Sequence, residues 1–426
     1  MNYIRRIMMF QKELLKNGIR LVTEEIPYVN SVSIGLWVKV GSRYESLNNN
    51  GISHFIEHML FKGTKKRSAK EIANSIDKIG GQLNAFTAKE CTCFYAKVLD
   101  SHFDIALDVL ADMFFNSNFS SEEIDKERGV VIEEINMYED SPEDLVHDLF
   151  SQAVWSGNPL GMSILGTEKS LANLSKERIL DYFNENYIPQ NIVISVVGNF
   201  KHADVVEKIK EYFEKAEHKD GEAAHIIMPR FEPEYTLKSK VTEQVHLCMG
   251  FNGVDIKSKA YYPMLILNNV FGGAMSSRLF QKIREDRGLA YSVFSYPSSF
   301  EDCGLFSIYA GSKPDNLESV AELIMEEIRT IKKTGITGEE LYDSKEQLKG
   351  SYTLGLESTS GRMISIGKSE LLLERIFYPA EILERIDAVD MDSVNNIIKH
   401  IFDTDSMGAA IIGSMEKNTD IKKMFR

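Results

Sequence analysis

Apolar runs near the start of the chain have the pattern of β-strands. Asn17-Gly18 separates two such runs and predicts a tight hairpin turn. The segment 31–45 alternates with period two and places its apolar side chains on one face. It therefore predicts a half-buried strand whose inward side chains are Val32, Ile34, Leu36, Val38 and Val40.

The remainder of the first half mixes helical and strand patterns. Residues 68–79 have the apolar period of an amphipathic helix and are followed by Gly80-Gly81, a pair that ends helices. The other predicted elements are a helix beginning near Ile52, strand-like residues 82–99, helices over 102–115 and 121–154, a strand within 186–200 and a helix over 203–216.

The second half repeats the first in outline. Residues 217–234 are charged, contain two prolines and lack periodicity, which predicts a linker. The elements predicted after it are a strand over 241–250, a helix over 261–271, and a further helix followed by strand segments over 291–296 and 304–310. Helices over 314–333 and 338–358 and a closing helix and strand over 382–401 and 407–412 follow. We therefore expect an α+β fold of two homologous α/β domains, residues 1–216 and 235–426, each a mixed, mostly antiparallel sheet packed with helices.

Composition narrows the classes of function. The 426 residues carry a net charge of −14, which argues against a nucleic-acid binder because such proteins need a concentrated basic face. No apolar run approaches the roughly 18 residues of a membrane span, and the start of the chain lacks the features of a signal peptide. Four cysteines do not make a disulfide framework. Cys91 and Cys93 are expected to share one strand face, with a Cys-x-Cys metal site as the alternative. We expect a cytoplasmic protein.

The sequence His54-Phe-Ile-Glu57-His58 is the sharpest chemical feature. Histidines four residues apart leave the same face of a helix one turn apart, so both imidazoles can bind one Zn²⁺. Glu57 borders that face and can reach a water molecule on the metal without being a ligand. The alternative interpretation is a solvated or capping cluster on an amphipathic helix.

A catalytic zinc site needs a third protein ligand and one open position. In the predicted helix over 121–154, Glu127 and Glu134 lie seven residues apart within an apolar stripe formed by Ile124, Val131, Ile135 and Tyr138. A carboxylate on an apolar face is costly unless it is paired or bound to metal. Glu133 and Glu139 can point to water instead. The alternative is that one or both stripe carboxylates pair with Arg or Lys.

These motifs together resemble the inverzincin zinc peptidases of the pitrilysin family, peptidase family M16, whose signature is H-x-x-E-H. The resemblance covers essentially the whole chain and is carried by GISHFIEHMLFKGT at 51–64, GGQLNAFTAKE at 80–90, ERGVVIEEI at 127–135 and GGAMSSRLFQKIREDRGLAYS at 272–292. It implies a zinc-dependent endopeptidase with one Zn²⁺ per chain. By this resemblance the ligands are His54, His58 and Glu134, the general base is Glu57, and Glu127 orients a ligand or the base.

The resemblance also implies two elements that contact a peptide substrate. Residues 83–87 match a family strand that lies at a sheet edge and pairs with an extended peptide, which assigns substrate binding to Asn84, Ala85 and Phe86. An ordinary interior strand is the alternative. Arg284 and Tyr291 match a family pair that contacts the substrate backbone near the scissile bond, and Arg287 competes with Arg284 for that role.

The second half lacks the metal motif. Alignment of the two halves places Met264 opposite His54, Leu267 opposite Glu57 and Asn268 opposite His58. We therefore expect one active site per chain. The chain also lacks the long glycine-rich loop of the inactive processing-peptidase subunit. The resemblance further implies a homodimer that encloses a chamber for short or unfolded peptides. A catalytically inactive peptide-binding or scaffold member of the same fold is the alternative function.

Overall fold

The structure, a computed structural model, describes residues 10–215, 226–416 and 419–425. The chain forms two compact units that interleave along the sequence. The first unit comprises the described residues of 1–135, 163–226 and 353–380, and the second those of 136–162, 227–352 and 381–426. This differs from the expected division at 216 and 235, because one helix from each half of the chain packs in the unit formed by the other half.

The strands are β1 (Phe10–Leu14), β2 (Arg20–Glu25), β3 (Ser31–Val38), β4 (Gln82–Thr87), β5 (Thr92–Leu99), β6 (Ile192–Gly198), β7 (Tyr235–Ser239), β8 (Val245–Asn252), β9 (Ala290–Ser299), β10 (Gly304–Ser312) and β11 (Met407–Gly413). The helices are α1 (Ile52–Leu60), α2 (Ala69–Asp77), α3 (Phe103–Asn116), α4 (Ser121–Glu139), α5 (Pro142–Val154), α6 (Glu168–Ala172), α7 (Lys176–Asn186), α8 (His202–Phe213), α9 (Tyr261–Asn268), α10 (Leu317–Thr334), α11 (Gly338–Gly355), α12 (Thr359–Leu373), α13 (Pro379–Asp387) and α14 (Met391–Ile401).

The two sheets confirm the predicted duplication. The first has the strand order β1-β2-β6-β3-β5-β4, and the second has the order β7-β11-β8-β10-β9. In each sheet one neighbouring pair is parallel, β2 with β6 and β7 with β11, and the other pairs are antiparallel. The predicted fold class is therefore correct, including the hairpin of β1 and β2 around Gly18.

Strand β3 is buried on both faces, whereas the alternation predicted a half-buried strand. Its apolar face, with Ile34 and Leu36, packs in the core of the first unit. The opposite face, which carries Trp37, is covered by Met363 and Ile366 of α12. The prediction was wrong on this point because the covering helix comes from a distant part of the chain.

Helix α5 plays the corresponding part in the second unit. Val146, Phe150 and Val154 pack with Cys248 and Ile412 on one face of the second sheet. The predicted continuous helix over 121–154 is divided between α4 and α5. The division follows from Ser141, whose side chain accepts from the Asp144 N–H as the N-cap of α5, and from Pro142 at the first helical position.

Three further predictions concern the linker, the cysteines and membrane-spanning segments. Residues 217–225 of the predicted linker lie outside the described residues, and residues 226–234 have no regular secondary structure. Cys91 and Cys93 are buried free thiols of the core in the first unit. In the part of the chain that the structure describes, no helix is long and apolar enough to cross a membrane.

Candidate metal centre and active site

Helix α1 supplies three candidate site residues. It begins after Gly51, which has a positive φ of 91°, a backbone conformation that glycine adopts without strain. Ile52, Phe55, Ile56 and Met59 pack in the core of the first unit. That packing leaves His54 and His58 on another side of the helix, directed toward α4.

Helix α4 supplies the two candidate carboxylates. Ile124, Val131 and Glu127 are its buried residues, as the stripe predicted. Glu134 is less buried than the stripe argument suggested, since its side chain is 43% exposed. Its carboxylate faces the two imidazoles, of which His54 is buried and His58 is 22% exposed.

The structure brings together His54, His58 and Glu134. The Nε2 atoms of the two histidines lie 3.2 Å apart. Glu134 Oε2 lies 3.7 Å from Nε2 of His54 and 3.6 Å from Nε2 of His58. Three ligand atoms of the types that zinc prefers thus converge on one point.

Glu127 lies behind this cluster and contacts a histidine. The Nδ1–H of His58 donates to Glu127 Oε1 over 2.8 Å, and Lys62 Nζ lies 2.6 Å from Glu127 Oε2. A proton fixed on Nδ1 leaves the Nε2 lone pair of His58 free to bind a metal. Glu127 therefore orients His58 without being one of the three converging groups.

The surroundings of the two histidines shift their pKa values in opposite directions. Burial, aided by the nearby positive charge of His58, lowers the pKa of His54 to about 4. Burial also pulls the pKa of His58 downward, but the hydrogen bond and charge of Glu127 outweigh it and raise that pKa. Burial raises the pKa of Glu127 in isolation, yet the hydrogen bonds from His58 and Lys62 leave it lowered, so Glu127 is an anion beside His58.

Glu57 lies on the same helix and does not take part in the converging group. Its Oε2 accepts a hydrogen bond of 2.5 Å from the hydroxyl of Thr87, the last residue of β4. Burial raises the pKa of Glu57, and the Thr87 hydrogen bond opposes that rise. A carboxylate with a raised pKa is suited to accept and return a proton near neutral pH.

Strand β4 forms an edge of the first sheet and pairs only with β5 among the described strands. The alternative of an interior strand is therefore excluded. Asn84 is exposed, while Ala85 and Phe86 are partly buried. The Ala85 N–H donates to the side chain of Asn84 over 2.8 Å, so this backbone donor points away from β5.

Arg284 and Tyr291 lie in the second unit. Arg284 belongs to a short π-helical segment, Phe280–Glu285, and Tyr291 is the second residue of edge strand β9. The Arg284 guanidinium lies over the Tyr291 ring, 5.1 Å from its centroid, and Tyr291 is 75% exposed. Arg287, the competitor, donates instead to the Lys282 carbonyl over 3.0 Å.

The positions in the second unit that correspond to the metal motif carry no comparable chemistry. Met264 and Leu267 of α9 are buried in the core of that unit. The Asn268 side chain accepts a hydrogen bond from Ser295 over 2.8 Å. Within the described residues, the group formed by His54, His58 and Glu134 is the candidate metal site.

The ligand set fits a zinc ion. Two ligands held tetrahedrally at about 2.0–2.1 Å from zinc lie about 3.3–3.4 Å apart, close to the 3.2 Å between the two Nε2 atoms. Two imidazoles and one carboxylate are a ligand set of known catalytic zinc sites. The fixed tautomer of His58 and the low pKa of His54 provide the lone pairs that such binding needs.

Sequence reasoning missed three residues that hold the site. Lys62 and Thr87 lie inside the motifs at 51–64 and 80–90. Lys62 lies just beyond the end of α1 at Leu60, so helical spacing does not predict its contact with Glu127. Glu45 accepts hydrogen bonds from the start of α1, and no spacing rule predicts that contact.

Comparisons with known proteins identify the family of the chain. Residues 20–168 match the family described as "Insulinase (Peptidase family M16)", and residues 173–348 match "Peptidase M16 inactive domain". The "uncharacterized zinc protease YmxG" of Bacillus subtilis is 49% identical over 397 residues, which cover 93% of this chain and 97% of that protein. The chain belongs to peptidase family M16.

Other M16 relatives extend the comparison. An "uncharacterized zinc protease" of Streptomyces coelicolor is 42% identical over 398 residues, covering 92% of this chain and 87% of that protein. The crystal structure of a protease from Helicobacter pylori has a TM-score of 0.90 at 23% identity, covering 96% of this chain and 100% of that one. A Pseudomonas fluorescens structure titled "peptidase M16 inactive domain" has a TM-score of 0.89 at 18% identity, covering 96% and 99%. The two structures establish the M16 fold.

Proposed function

We propose that this protein is a zinc-dependent endopeptidase that binds one Zn²⁺ per chain and cleaves short or unfolded peptides. The observation that carries the proposal is the convergence of three ligand atoms, from His54, His58 and Glu134, beside Glu57 on the same helix. The names of the M16 relatives, which are zinc proteases, support it.

The roles of the side chains follow from their contacts. Bound zinc supplies the Lewis acid that makes water a nucleophile near neutral pH. Glu57 accepts a proton from the attacking water as the water oxygen bonds to the carbonyl carbon of the peptide. Glu57 then delivers that proton to the leaving amine as the C–N bond breaks. Thr87 holds Glu57 through their hydrogen bond, and Glu127 holds the ring of His58.

Strand β4 is proposed to bind the substrate. An edge strand can pair with an extended peptide through main-chain hydrogen bonds, which bind many sequences because they do not read side chains. Asn84, Ala85 and Phe86 lie on that edge. Because Thr87 ends the same strand and contacts Glu57, a peptide paired along β4 would lead toward the base.

Arg284 and Tyr291 are proposed to bind the substrate backbone or the developing oxyanion. Their guanidinium and phenol groups are hydrogen-bond donors, which suit an oxygen that gains negative charge. We also propose that two chains form a homodimer around a closed chamber. The support for this is the resemblance to double-length relatives, which enclose substrate with four such domains.

The experiment that tests the function is cleavage of a quenched peptide library with and without a chelator. We expect cleavage that the chelator abolishes and that added Zn²⁺ restores, together with one zinc per chain by elemental analysis. A chain that binds zinc but never cuts a flexible peptide would instead be a non-catalytic, peptide-binding member of the family.

A further inference from the structure

The first turn of α1 lacks an ordinary N-cap. The first N–H groups of a helix have no partner within the helix and need an acceptor. Side chains of Ser, Thr, Asp or Asn at the N-cap position usually provide it. Here the N-cap residue is Gly51, which has no side chain, and no cap hydrogen bond comes from that position.

A buried carboxylate from outside the helix provides the missing acceptor. Glu45 is 4% exposed. Its Oε2 accepts from the Gly51 N–H over 2.7 Å and from the Asn50 side chain over 3.0 Å, and its Oε1 accepts from the Ser53 N–H over 2.9 Å. A negative charge at this end of α1 is also favoured by the helix dipole.

The contacts of Glu45 require two acceptor oxygens. The three groups named above all donate, and they divide between both oxygens of the carboxylate. A glutamine of the same size would turn an NH₂ group toward one of these donors. An amide therefore fits the space but not the hydrogen bonds.

The histidine nearest to this cap depends on the helix backbone for its position. His58 is held through its side chain by Glu127. His54, the third residue of α1, has a buried Nδ1 with no hydrogen-bond partner among the described residues. The first turn of α1, which Glu45 holds directly before His54, therefore determines where His54 Nε2 lies.

We propose that Glu45 is a positioning residue for the metal centre, whose carboxylate caps α1 and holds His54 in register with His58 and Glu134. This inference rests on the proposed zinc function. The neighbouring Arg43 strengthens it, since Arg43 bonds to the β4–β5 loop through Glu90 and the Lys89 carbonyl, over 2.5 and 2.8 Å. The segment that holds α1 is thereby fixed to the hairpin that carries Thr87.

The test compares zinc affinity with fold stability in two capping variants. Glu45→Gln removes the cap of α1. The matched control, Ser68→Ala, removes the capping box of α2, a helix of the same unit that carries none of the site residues. Zinc dissociation constants are measured by competition with a chelator, and thermal midpoints by circular dichroism.

We expect both variants to melt at a lower temperature but only Glu45→Gln to bind zinc more weakly, by about 3- to 30-fold, the range that loss of a helix cap produces. Unchanged zinc affinity in Glu45→Gln, or an equal loss in Ser68→Ala, would overturn the inference. Glu45→Asp keeps the charge but shortens the reach, so it should also weaken zinc binding. It replaces the Gln variant if that one does not fold, and wild-type affinity in Glu45→Asp would equally overturn the proposal. Absence of zinc binding by the wild-type chain would instead refute the proposed function.

Discussion

At the scale of single residues, the proposed general base Glu57 is held by a hydrogen bond from Thr87. The Thr87 hydroxyl fixes one carboxylate oxygen of Glu57, and nothing in the contacts of Glu57 makes it a ligand. Binding of zinc and transfer of the proton are therefore assigned to different side chains, which allows each to be removed separately.

Glu57→Gln should retain zinc and the fold but lose turnover. The amide occupies the same space and can still accept from Thr87, but it cannot take a proton from water. We expect kcat to fall by about 10²- to 10⁴-fold, the usual contribution of a general base. Steady-state kinetics and elemental analysis on the same preparation test this, and activity within tenfold of wild type would exclude the role.

Glu134→Ala and Glu133→Ala should differ in zinc binding. Glu134 faces both imidazoles, whereas Glu133, its neighbour in sequence, is exposed. The Glu134 variant should lose more affinity than the roughly 10- to 100-fold that loss of an outer partner of a ligand costs. The Glu133 variant should bind zinc like the wild type, and equal zinc content in both would show that the wrong carboxylate was chosen.

Residue spacing predicted much of the site. The helical period brought His54 and His58 to one face, and the apolar stripe identified Glu127, which is 3% exposed. The stripe overestimated the burial of Glu134, because periodicity reports which face a side chain is on and not what covers that face. The contact of Glu45 with α1 could not be predicted, since it depends on how an irregular loop folds back.

At the scale of secondary-structure elements, the packing of α12 on β3 leaves no room for side chains at two glycines. A Cβ at Gly367 would lie 2.2 Å from Trp37 Nε1, and a Cβ at Gly35 would lie 2.3 Å from Met363 Sδ. Trp37 is buried and donates to Ser195 over 2.9 Å. The helix can approach the sheet this closely only because both positions are glycine.

Gly367→Ala and Gly350→Ala should therefore have opposite effects on stability. Both positions lie inside helices, where alanine is favoured over glycine by about 1 kcal/mol. At Gly350 of α11 a Cβ would meet nothing within 4 Å, so the free energy of unfolding should rise. At Gly367 the clash with Trp37 should dominate and lower it by about 1–3 kcal/mol. Urea unfolding followed by tryptophan fluorescence decides between them, and a stabilised Gly367→Ala would refute the packing argument.

The loop after α1 is held to α3 by a carboxylate that titrates. Asp112 accepts from the Thr64 hydroxyl, the Arg67 guanidinium and the Asn116 amide, over 2.7, 2.7 and 2.9 Å. Burial alone would raise the pKa of Asp112, but these hydrogen bonds outweigh it and lower the pKa. A pKa that is lower in the folded state stabilises the fold above the pKa of the unfolded chain.

Asp112→Asn should consequently destabilise the protein in a pH-dependent way. The difference in unfolding free energy from wild type should be greatest near pH 7. It should shrink as the pH falls below about 4, where the aspartate of the unfolded chain becomes protonated. Urea unfolding at several pH values measures this, and a difference that grows on acidification would have the wrong sign.

The sequence of β3 explains why the burial of its second face was not predicted. Ser33 and Gly35 alternate with its valine, isoleucine and leucine residues, and small or polar side chains at alternate positions are typical of a solvent-facing side. In the folded chain, Ser33 instead bonds to Thr359 of α12 over 2.9 Å, and Gly35 allows that helix to approach. Local pattern cannot distinguish a face left open to water from one kept small for a helix.

At the scale of the whole molecule, the proposed homodimer can be tested by mixing two inactive chains, because the result depends on which site Arg284 serves. Glu57→Gln and Arg284→Ala should each be inactive as pure proteins. If Arg284 serves the site of the partner chain, mixed dimers carry one intact site and activity returns after subunit exchange. If it serves its own chain, every site keeps one lesion and nothing returns. Light scattering provides the control, and a fully active monomer would contradict the dimer.

Helix α12 comes from the second half of the chain but packs in the first unit, which has a consequence for biosynthesis. Strand β3 leaves the ribosome early, but α12, which covers the Trp37 face of its sheet, is among the later elements to emerge. The first unit cannot finish folding as soon as its own strands have been made. A nascent chain therefore exposes an apolar sheet face from the time that β6 completes the sheet until α12 has emerged.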